Sequence, residues 1–248
     1  MNRVVPADKS ISIIVPAYNE SGNILAGLAA MVEAGEKMSD GYEIIVVNDC
    51  SKDDTLKKAQ SFALSNKNIK VVDSPVNLGF GGAFHEGLRN AKKSYSVMVC
   101  ADNCISGDEL FKILSKTGQA DIVVPYIANT EVRGFGRRFL STLFVKILNF
   151  LFRLDLKYYN GHNVFPTGAI QHTDFTPGFA FSAEIMVRLL TSGYTYCQVP
   201  MIVQSRVKGE TKAFKIKNII LTIQTILGLI GEVYFFRARK NLEHDKNI

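Results

Sequence analysis

Ile11-Ser12-Ile13-Ile14-Val15-Pro16 runs on into Ala17-Tyr18-Asn19-Glu20. An apolar run of strand length closed by a polar loop reads as a buried strand, and it sets the pattern for the first half of the chain. Ser21 follows, and then Ile24, Leu25, Leu28, Met31 and Val32 at helical spacing. Residues 43–47 repeat the apolar run and close on Asn48-Asp49-Cys50-Ser51. A helix over 53–64 is expected next, with an acidic first turn that suits the helix dipole. Residues 69–72, 95–99 and 122–125 read as further strands. Between them, the Gly-rich stretch 77–82 leads into a helix as far as Ala91, and Ser106-Gly107-Asp108-Glu109 is a capping-box pattern.

Strands alternating with helices predict an α/β fold, a mainly parallel sheet with helices on both faces. Ligands of such sheets bind beyond the C-terminal ends of the strands. Glu20, Asn48, Asp49, Asn77 and Asp102 all fall at such ends, and this coincidence is the first functional signal.

The 248 residues suffice for one domain, or a domain with an appendage, and 19 Gly, 7 Pro and 4 Cys exclude collagen-like, disordered and disulfide-scaffold classes. Cys50, Cys100, Cys104 and Cys197 contain no C-x-x-C, and with no secretory leader they point to a reducing compartment. The net charge of +6 is unevenly spread. Residues 1–132 hold 13 Lys and Arg against 16 Asp and Glu, a net of −3, whereas residues 133–248 hold 16 against 7, a net of +9. Of the 16 Phe, 12 lie in the second part. A basic, Phe-rich half favours a membrane surface or a lipid-like anion over nucleic acid. No nucleic-acid recognition motif is present, and the aromatics follow helical apolar faces rather than a strand-borne stacking platform.

After Arg133 the alternation stops. Residues 138–154 read as an amphipathic helix with Phe139, Leu143, Ile147, Phe150 and Leu151 on one side. Residues 219–236 are the most apolar stretch, interrupted by Thr222, Gln224, Thr225 and Glu232. Those polar residues, with Gly228 and Gly231, argue against a spanning helix. Flanking Lys215, Lys217, Arg237, Arg239 and Lys240 suit a helix lying in the membrane plane; a buried helix of the domain is the alternative.

Six motifs in order resemble the family 2 glycosyltransferases of the GT-A fold, and among these the polyprenyl-phosphate glycosyltransferases. They are Val15-Pro16-Ala17-Tyr18-Asn19-Glu20, Val46-Val47-Asn48-Asp49-Cys50-Ser51-Lys52-Asp53-Asp54-Thr55, Asn77-Leu78-Gly79-Phe80-Gly81-Gly82-Ala83, Cys100-Ala101-Asp102, Arg137-Arg138-Phe139-Leu140-Ser141, and Pro200 followed by Arg206-Val207-Lys208-Gly209-Glu210-Thr211-Lys212. The resemblance spans about residues 10 to 240. It implies a GT-A (Rossmann-like) domain over 1–212, with 138–154 as an acceptor-side helix, and a membrane-associating helix and tail over 213–248.

The resemblance also implies site roles. Pro16, Tyr18, Glu20, Asn48, Asp49, Asn77, Gly81, Ala101 and Asp102 would bind the nucleotide sugar, and Asp102 would be the metal ligand. Arg133, Arg137, Arg138, Arg206 and Lys212 would bind the diphosphate and the acceptor phosphate, with Asp102, Arg138 and Arg206 as the catalytic set. Arginine suits phosphate because its planar fork binds two oxygens at once. A helix cap or turn is the structural alternative for Glu20 and Asp49. Gly79 and Gly81 imitate a dinucleotide fingerprint, but its third glycine would fall at Phe84, so a tight turn is the better reading.

Three departures matter. Asn48-Asp49-Cys50-Ser51 stands where the family has Asp-Asp-Gly-Ser, and an amide both donates and accepts. Cys100 replaces the first Asp of the D-x-D motif, which weakens a site for Mg²⁺ or Mn²⁺ because both prefer oxygen ligands. Two buried thiols, or a soft-ion site of Cys100, Asp102 and Cys104, are the readings this leaves. Asn160-Gly161-His162-Asn163 replaces Ser-Gly-Phe-Arg, with His162 as a base or, better, a hydrogen-bonding loop residue. Phe179–Glu184 and Arg188 match a later segment of the family.

The expected reaction moves a sugar from a nucleoside diphosphate sugar to a polyprenyl (dolichyl or undecaprenyl) phosphate with inversion, at the cytoplasmic face of a membrane. A membrane partner subunit or a homo-oligomer fits the apolar helix. The rivals are a glycosyltransferase with a hydroxyl acceptor, which needs a general base, and an impaired nucleotide- or lipid-binding accessory subunit, which Cys100 favours.

Overall fold

A computed structural model describes residues 6–178, 180–204 and 216–245. Seven strands form one sheet: β1 (Ile11–Ala17), β2 (Tyr42–Asp49), β3 (Ile69–Ser74), β4 (Tyr95–Met98), β5 (Ile122–Ile127), β6 (Val164–Pro166) and β7 (Tyr196–Met201). Their order is β3-β2-β1-β4-β6-β5-β7. The pairs β1–β2, β2–β3, β1–β4 and β5–β7 are parallel, and β6 runs antiparallel between β4 and β5. From β1 the chain builds outward first through β2 and β3, then through β4 on the other side. The crevice between the C-terminal ends of β1 and β4 is therefore the topological switch point, where such sheets bind ligands.

Helices cover both faces: α1 (Ile24–Glu36), α2 (Thr55–Leu64) and α4 (Gly107–Leu114) on one, and α3 (Gly79–Asn90), α5 (Phe135–Phe152), α7 (Phe181–Thr191) and α8 (Ile216–Asp245) on the other, with a single turn α6 (Thr167–Ile170) after β6. Within β1, Ile11, Ile13 and Val15 pack with Ile24, Leu28 and Met31 of α1, whereas Ile14 packs with Phe84 and Leu88 of α3. A strand buried on both faces needs apolar side chains at nearly every position, which is why β1 and β2 read as near-continuous runs rather than alternating ones.

The structure corrects several expectations. The alternation does not stop at Arg133, since β6, α6, α7 and β7 follow. Helix α2 starts at Thr55 and has no acidic residue in its first turn. Asp53 stands before it, accepting from Thr55 N at 3.0 Å and from Ser21 N at 3.2 Å. Helix α5 runs Phe135–Phe152 and ends at Arg153, in the left-handed region at φ 57°, so Leu154 lies outside it. The Ser106 cap does form, with Oγ accepting from Glu109 N at 3.3 Å.

Helix α8 extends well beyond 219–236. It buries Thr225, Leu229 and Val233 and leaves Ile220, Ile223, Leu227, Tyr234 and Phe235 exposed, so it is both packed on the domain and open on its outer face. Among the described residues no helix is long and apolar enough to cross a membrane.

Candidate active site

Two loops at the C-terminal ends of β1 and β2 are stitched together. Lys52 N donates to Asn19 Oδ1 (2.8 Å), Asn19 N to Ser51 Oγ (3.1 Å) and Glu20 N to Thr55 Oγ1 (2.8 Å). Asn19 and Cys50 sit at the corners with φ of 56° and 59°. Glu20 accepts from Asn23 Nδ2 at 2.8 Å, Tyr18 is 38 % exposed, and Pro16 is buried within β1 opposite Val47.

Asp49, at the end of β2, spends both carboxylate oxygens on the start of α3. It accepts from Leu78 N at 2.5 Å and from Gly79 N at 3.1 Å, while Asn77 Nδ2 donates to the Asp49 carbonyl at 3.0 Å. Burial raises the Asp49 pKa and the two amide donors oppose it. Gly79 takes φ +73° to make this turn. Gly81 lies beneath the next loop: its N–H donates to Pro177 O at 2.9 Å, and a Cβ there would stand 2.6 Å from Thr176 O. The Gly-rich stretch is thus the first turn of α3, clamped between Asp49 and the 176–177 backbone, rather than a separate tight turn.

Asn48 lies opposite Asp73 in the β2–β3 register and donates from Nδ2 to Asp73 Oδ1 at 2.7 Å. Its Oδ1 is buried without a partner. The amide is what permits this pairing, since two carboxylates side by side would repel.

At the end of β4, Ala101 is buried and Asp102 is 5 % exposed. Asn103 turns the chain with φ 53°, and Cys104 N donates to Asp102 Oδ1 at 3.3 Å. Beside this turn lies His162, 9 % exposed, with Nδ1 2.9 Å from Met98 O. Its pKa is pushed down by burial; the charge of Asp102 raises it and that of Arg133 lowers it. Burial thus favours the uncharged imidazole at His162.

Arg133 donates from Nη1 to Tyr158 Oη at 3.0 Å and lies 5.6 Å from the centre of that ring. Lys157 Nζ is 4.3 Å from the Tyr126 ring centre. These groups, with Arg138, Phe135, Phe139 and Val145, line an open cavity of about 480 Å³ at the end of β5 and the start of α5. Arg137 is half-buried in the first turn of α5. Arg206 and Lys212 lie outside the described residues, as do Phe179 and Lys215.

The sheet gathers Glu20, Asn48, Asp49, Asn77 and Asp102 at one edge. Arg133 and Arg138 share the cavity, and Arg133 reaches His162 electrostatically. Lys157, Tyr126 and Tyr158 had no signal in the sequence, because their pairing joins residues 25 and 31 positions apart.

Whether a divalent cation fits turns on the donor set. Among the described residues no three His, Cys, Asp or Glu converge on one point, so the soft-ion site of Cys100, Asp102 and Cys104 is not assembled. Asp102 offers a hard carboxylate at the crevice. That suits an ion held jointly with the oxygens of a diphosphate rather than in a protein cage.

Comparisons with known proteins agree with this architecture. The chain aligns at 34% identity over 116 residues with a dolichyl-phosphate beta-glucosyltransferase of Trichomonas vaginalis, covering 45% of this chain and 34% of the relative. The enzyme of the same description from Saccharomyces cerevisiae aligns at 27% over 110 residues, covering 42% and 33%. The aligned part is thus about a third of each relative's length. Glucosyl-3-phosphoglycerate synthase from Mycobacterium tuberculosis, solved with Mn²⁺, UDP-glucose and phosphoglyceric acid, superposes with a TM-score of 0.68 at 17% identity. That superposition covers 90% of this chain and 80% of the other, and it establishes a shared GT-A fold. The family described as Glycosyl transferase family 2 matches residues 12–176, about two thirds of the sequence. The protein accordingly belongs to glycosyl transferase family 2.

Proposed function

We propose that the enzyme transfers a hexosyl group from a nucleoside diphosphate sugar to a polyprenyl phosphate, with inversion at the anomeric carbon. One observation carries this reading. The cavity at the end of β5 and the start of α5 joins the cations Arg133, Arg138 and Lys157 to the apolar Phe135, Phe139 and Val145, a lining matched to a phosphate on a hydrocarbon chain. It opens along α5, whose Phe135, Phe139, Leu143 and Phe150 are exposed, as a peripheral helix on a membrane surface would be. The names of the curated relatives support the same acceptor class, and UDP-glucose, present in the structure of the mycobacterial synthase, is the first donor to try.

In this reading an acceptor phosphate oxygen attacks the anomeric carbon, and the bond from that carbon to the donor diphosphate breaks, releasing the nucleoside diphosphate. The nucleophile is already an anion, so no general base is needed. Arg133 and Arg138 orient it and Asp102 marks the diphosphate end. A bound Mg²⁺ or Mn²⁺ would neutralise charge developing on the leaving diphosphate. A hydroxyl acceptor would need a general base, and Glu184, the buried carboxylate of α7, is not free to be one, since it is taken up by Thr176 N (2.8 Å), the Thr176 hydroxyl and Arg188 Nη1 (2.9 Å).

The test supplies radiolabelled UDP-glucose or GDP-mannose with dolichyl or undecaprenyl phosphate in vesicles and follows label into the organic phase. Label in the lipid supports the reading. Label only in water-soluble acceptors replaces it with the hydroxyl-acceptor enzyme, and nucleotide binding without transfer to any acceptor replaces it with an accessory subunit.

A further inference from the structure

Two tyrosine rings and two cations cross-clasp the segments that meet at the end of β5. Lys157 Nζ lies 4.3 Å from the centre of the Tyr126 ring. In the opposite sense, Tyr158, next to Lys157, receives Arg133 from the segment that follows β5. Arg133 Nη1 donates to the Tyr158 hydroxyl at 3.0 Å, and its guanidinium carbon lies 5.6 Å from the ring centre. All four side chains line the cavity of about 480 Å³. The loop that carries Lys157 and Tyr158 is fixed through its backbone. Lys157 N donates to Gln198 Oε1 of β7 at 2.7 Å, and a Cβ at Gly161 would stand 2.6 Å from Pro125 O of β5.

The clasps leave the charge of both cations unspent. An aromatic face attracts a cation through its quadrupole, but it has no net charge with which to neutralise it. Among the described residues neither Lys157 nor Arg133 has a carboxylate within ion-pair distance, and no Asp or Glu lines the cavity. Lys37, Lys112 and Arg188, by contrast, are each spent on carboxylates. Two like charges on one wall repel, and a ligand with two negative charges relieves that repulsion. A phosphate monoester, with its second pKa at about 6, is such a dianion above neutral pH. A diester carries one charge only.

We propose that Lys157 and Arg133 grip a phosphate monoester dianion between them, and that Tyr126 and Tyr158 position the two cations for it. The grip rests on the acceptor chemistry proposed above and adds a selection to it: monoesters are taken and diesters are refused. Lys157 is a binding residue, and each tyrosine acts through the cation it holds.

The experiment titrates the full chain, above neutral pH, with geranyl phosphate, geranyl methyl phosphate and inorganic phosphate, read by calorimetry. Geranyl phosphate is expected to bind about tenfold more tightly than its methyl diester, the worth of one charged hydrogen bond. Lys157→Met weakens the monoester by about the same factor and removes most of that preference. Tyr126→Leu weakens it too but adds nothing on top of Lys157→Met, because the cation it positions is gone. Tyr126→Phe keeps the ring and binds like the parent. Tyr158→Phe loses only the hydroxyl, and weakens binding in the parent but not in an Arg133→Met background. Inorganic phosphate binds more weakly than geranyl phosphate, since Phe135 and Phe139 have no chain to hold.

Equal affinity for monoester and diester overturns the grip, as does an unchanged Kd in Lys157→Met, or a Tyr126→Leu loss that adds in full to that of Lys157→Met. Where Tyr126→Leu does not fold, Lys157→Met and Tyr158→Phe decide, since Lys157 is exposed and the second change keeps its ring. Inorganic phosphate that binds as tightly as geranyl phosphate upholds the grip and assigns it to a water-soluble phosphate. Lys157-dependent binding of geranyl phosphate without sugar transfer to lipid leaves the grip standing and removes the acceptor reading. Transfer to lipid phosphate with an unchanged acceptor KM in Lys157→Met does the reverse.

Discussion

Arg188 of α7 holds Glu232 of α8 from two sides, with Nε 3.0 Å and Nη2 3.0 Å from the same carboxylate oxygen. Its third nitrogen, Nη1, reaches Glu184 at 2.9 Å and Asp174 O at 2.7 Å. One guanidinium thus ties the outer helix, the inner helix and the 174–177 loop, whose Pro177 carbonyl receives Gly81 at the start of α3.

Arg188→Ala is expected to cost about 3 kcal/mol, because it leaves the buried Glu184 carboxylate without its counter-ion. Arg188→Lys keeps a charge without the planar fork and should fall between the variant and the parent. Urea midpoints with a common slope measure both, and coincident midpoints for all three proteins would show that the clamp adds nothing.

Asp53 carries a pH signature. Hydrogen bonds from Thr55 and Ser21, which outweigh the opposing effect of burial, lower its pKa from 3.8 to about 2. A pKa lowered in the folded state favours folding above the unfolded value, and that contribution fades as pH falls from about 4 through about 2. Asp53→Asn is therefore expected to be less stable than the parent at pH 7 by about 1 kcal/mol at most, since the site is exposed and screened. The gap should close near pH 2. Chemical denaturation at both pH values checks this, and a constant gap would assign the loss to packing rather than charge.

The parts of the fold legible in the sequence are those whose burial demanded one residue type throughout. β1 and β2 are apolar at nearly every position because both faces are covered. β6 is three residues, Val164-Phe165-Pro166, too short for any period to emerge. β7 contains Pro200 and half-buried positions, so its run is broken. At the site, the strand-end position of Asp49 and Asp102 was readable from the alternation alone. Their partners were not: Asp49 meets Leu78, and His162 meets Met98, 64 residues away. Asn48 read as a departure that bears on the base, and only the β2–β3 register reveals Asp73 as its neighbour.

The β4 turn separates charge from fold. Asp102 accepts from Cys104 N at 3.3 Å and stands at the diphosphate end of the proposed reaction, so Asp102→Ala should abolish sugar transfer, with a melting curve run alongside to separate loss of chemistry from loss of fold. Cys100→Asp restores a second hard oxygen donor beside it and is expected to increase activation by Mg²⁺ more than by Mn²⁺. Transfer assays across a metal titration read both. An Asp102→Ala variant with full activity toward every donor would remove Asp102 from the site, and an unchanged titration in Cys100→Asp would show that sulfur at position 100 is no handicap.

The outer faces of α5 and α8 expose Phe139 at 59 %, Phe150 at 84 % and Phe235 at 75 %. Aromatic side chains in water on two adjacent helices gain by entering the headgroup region, and each contributes roughly 1.5–3 kcal/mol if fully withdrawn from water. Phe150 lies near the C-terminal end of α5, away from the cavity lining, so Phe150→Glu changes surface affinity without touching the arginines that line the cavity. Binding to vesicles containing anionic lipid, measured by flotation, should fall about tenfold or more for this variant. Phe139→Glu lies on the cavity wall and should lose both vesicle binding and transfer. If Phe150→Glu floats like the parent while Phe139→Glu loses only transfer, the apolar faces serve another chain rather than a bilayer.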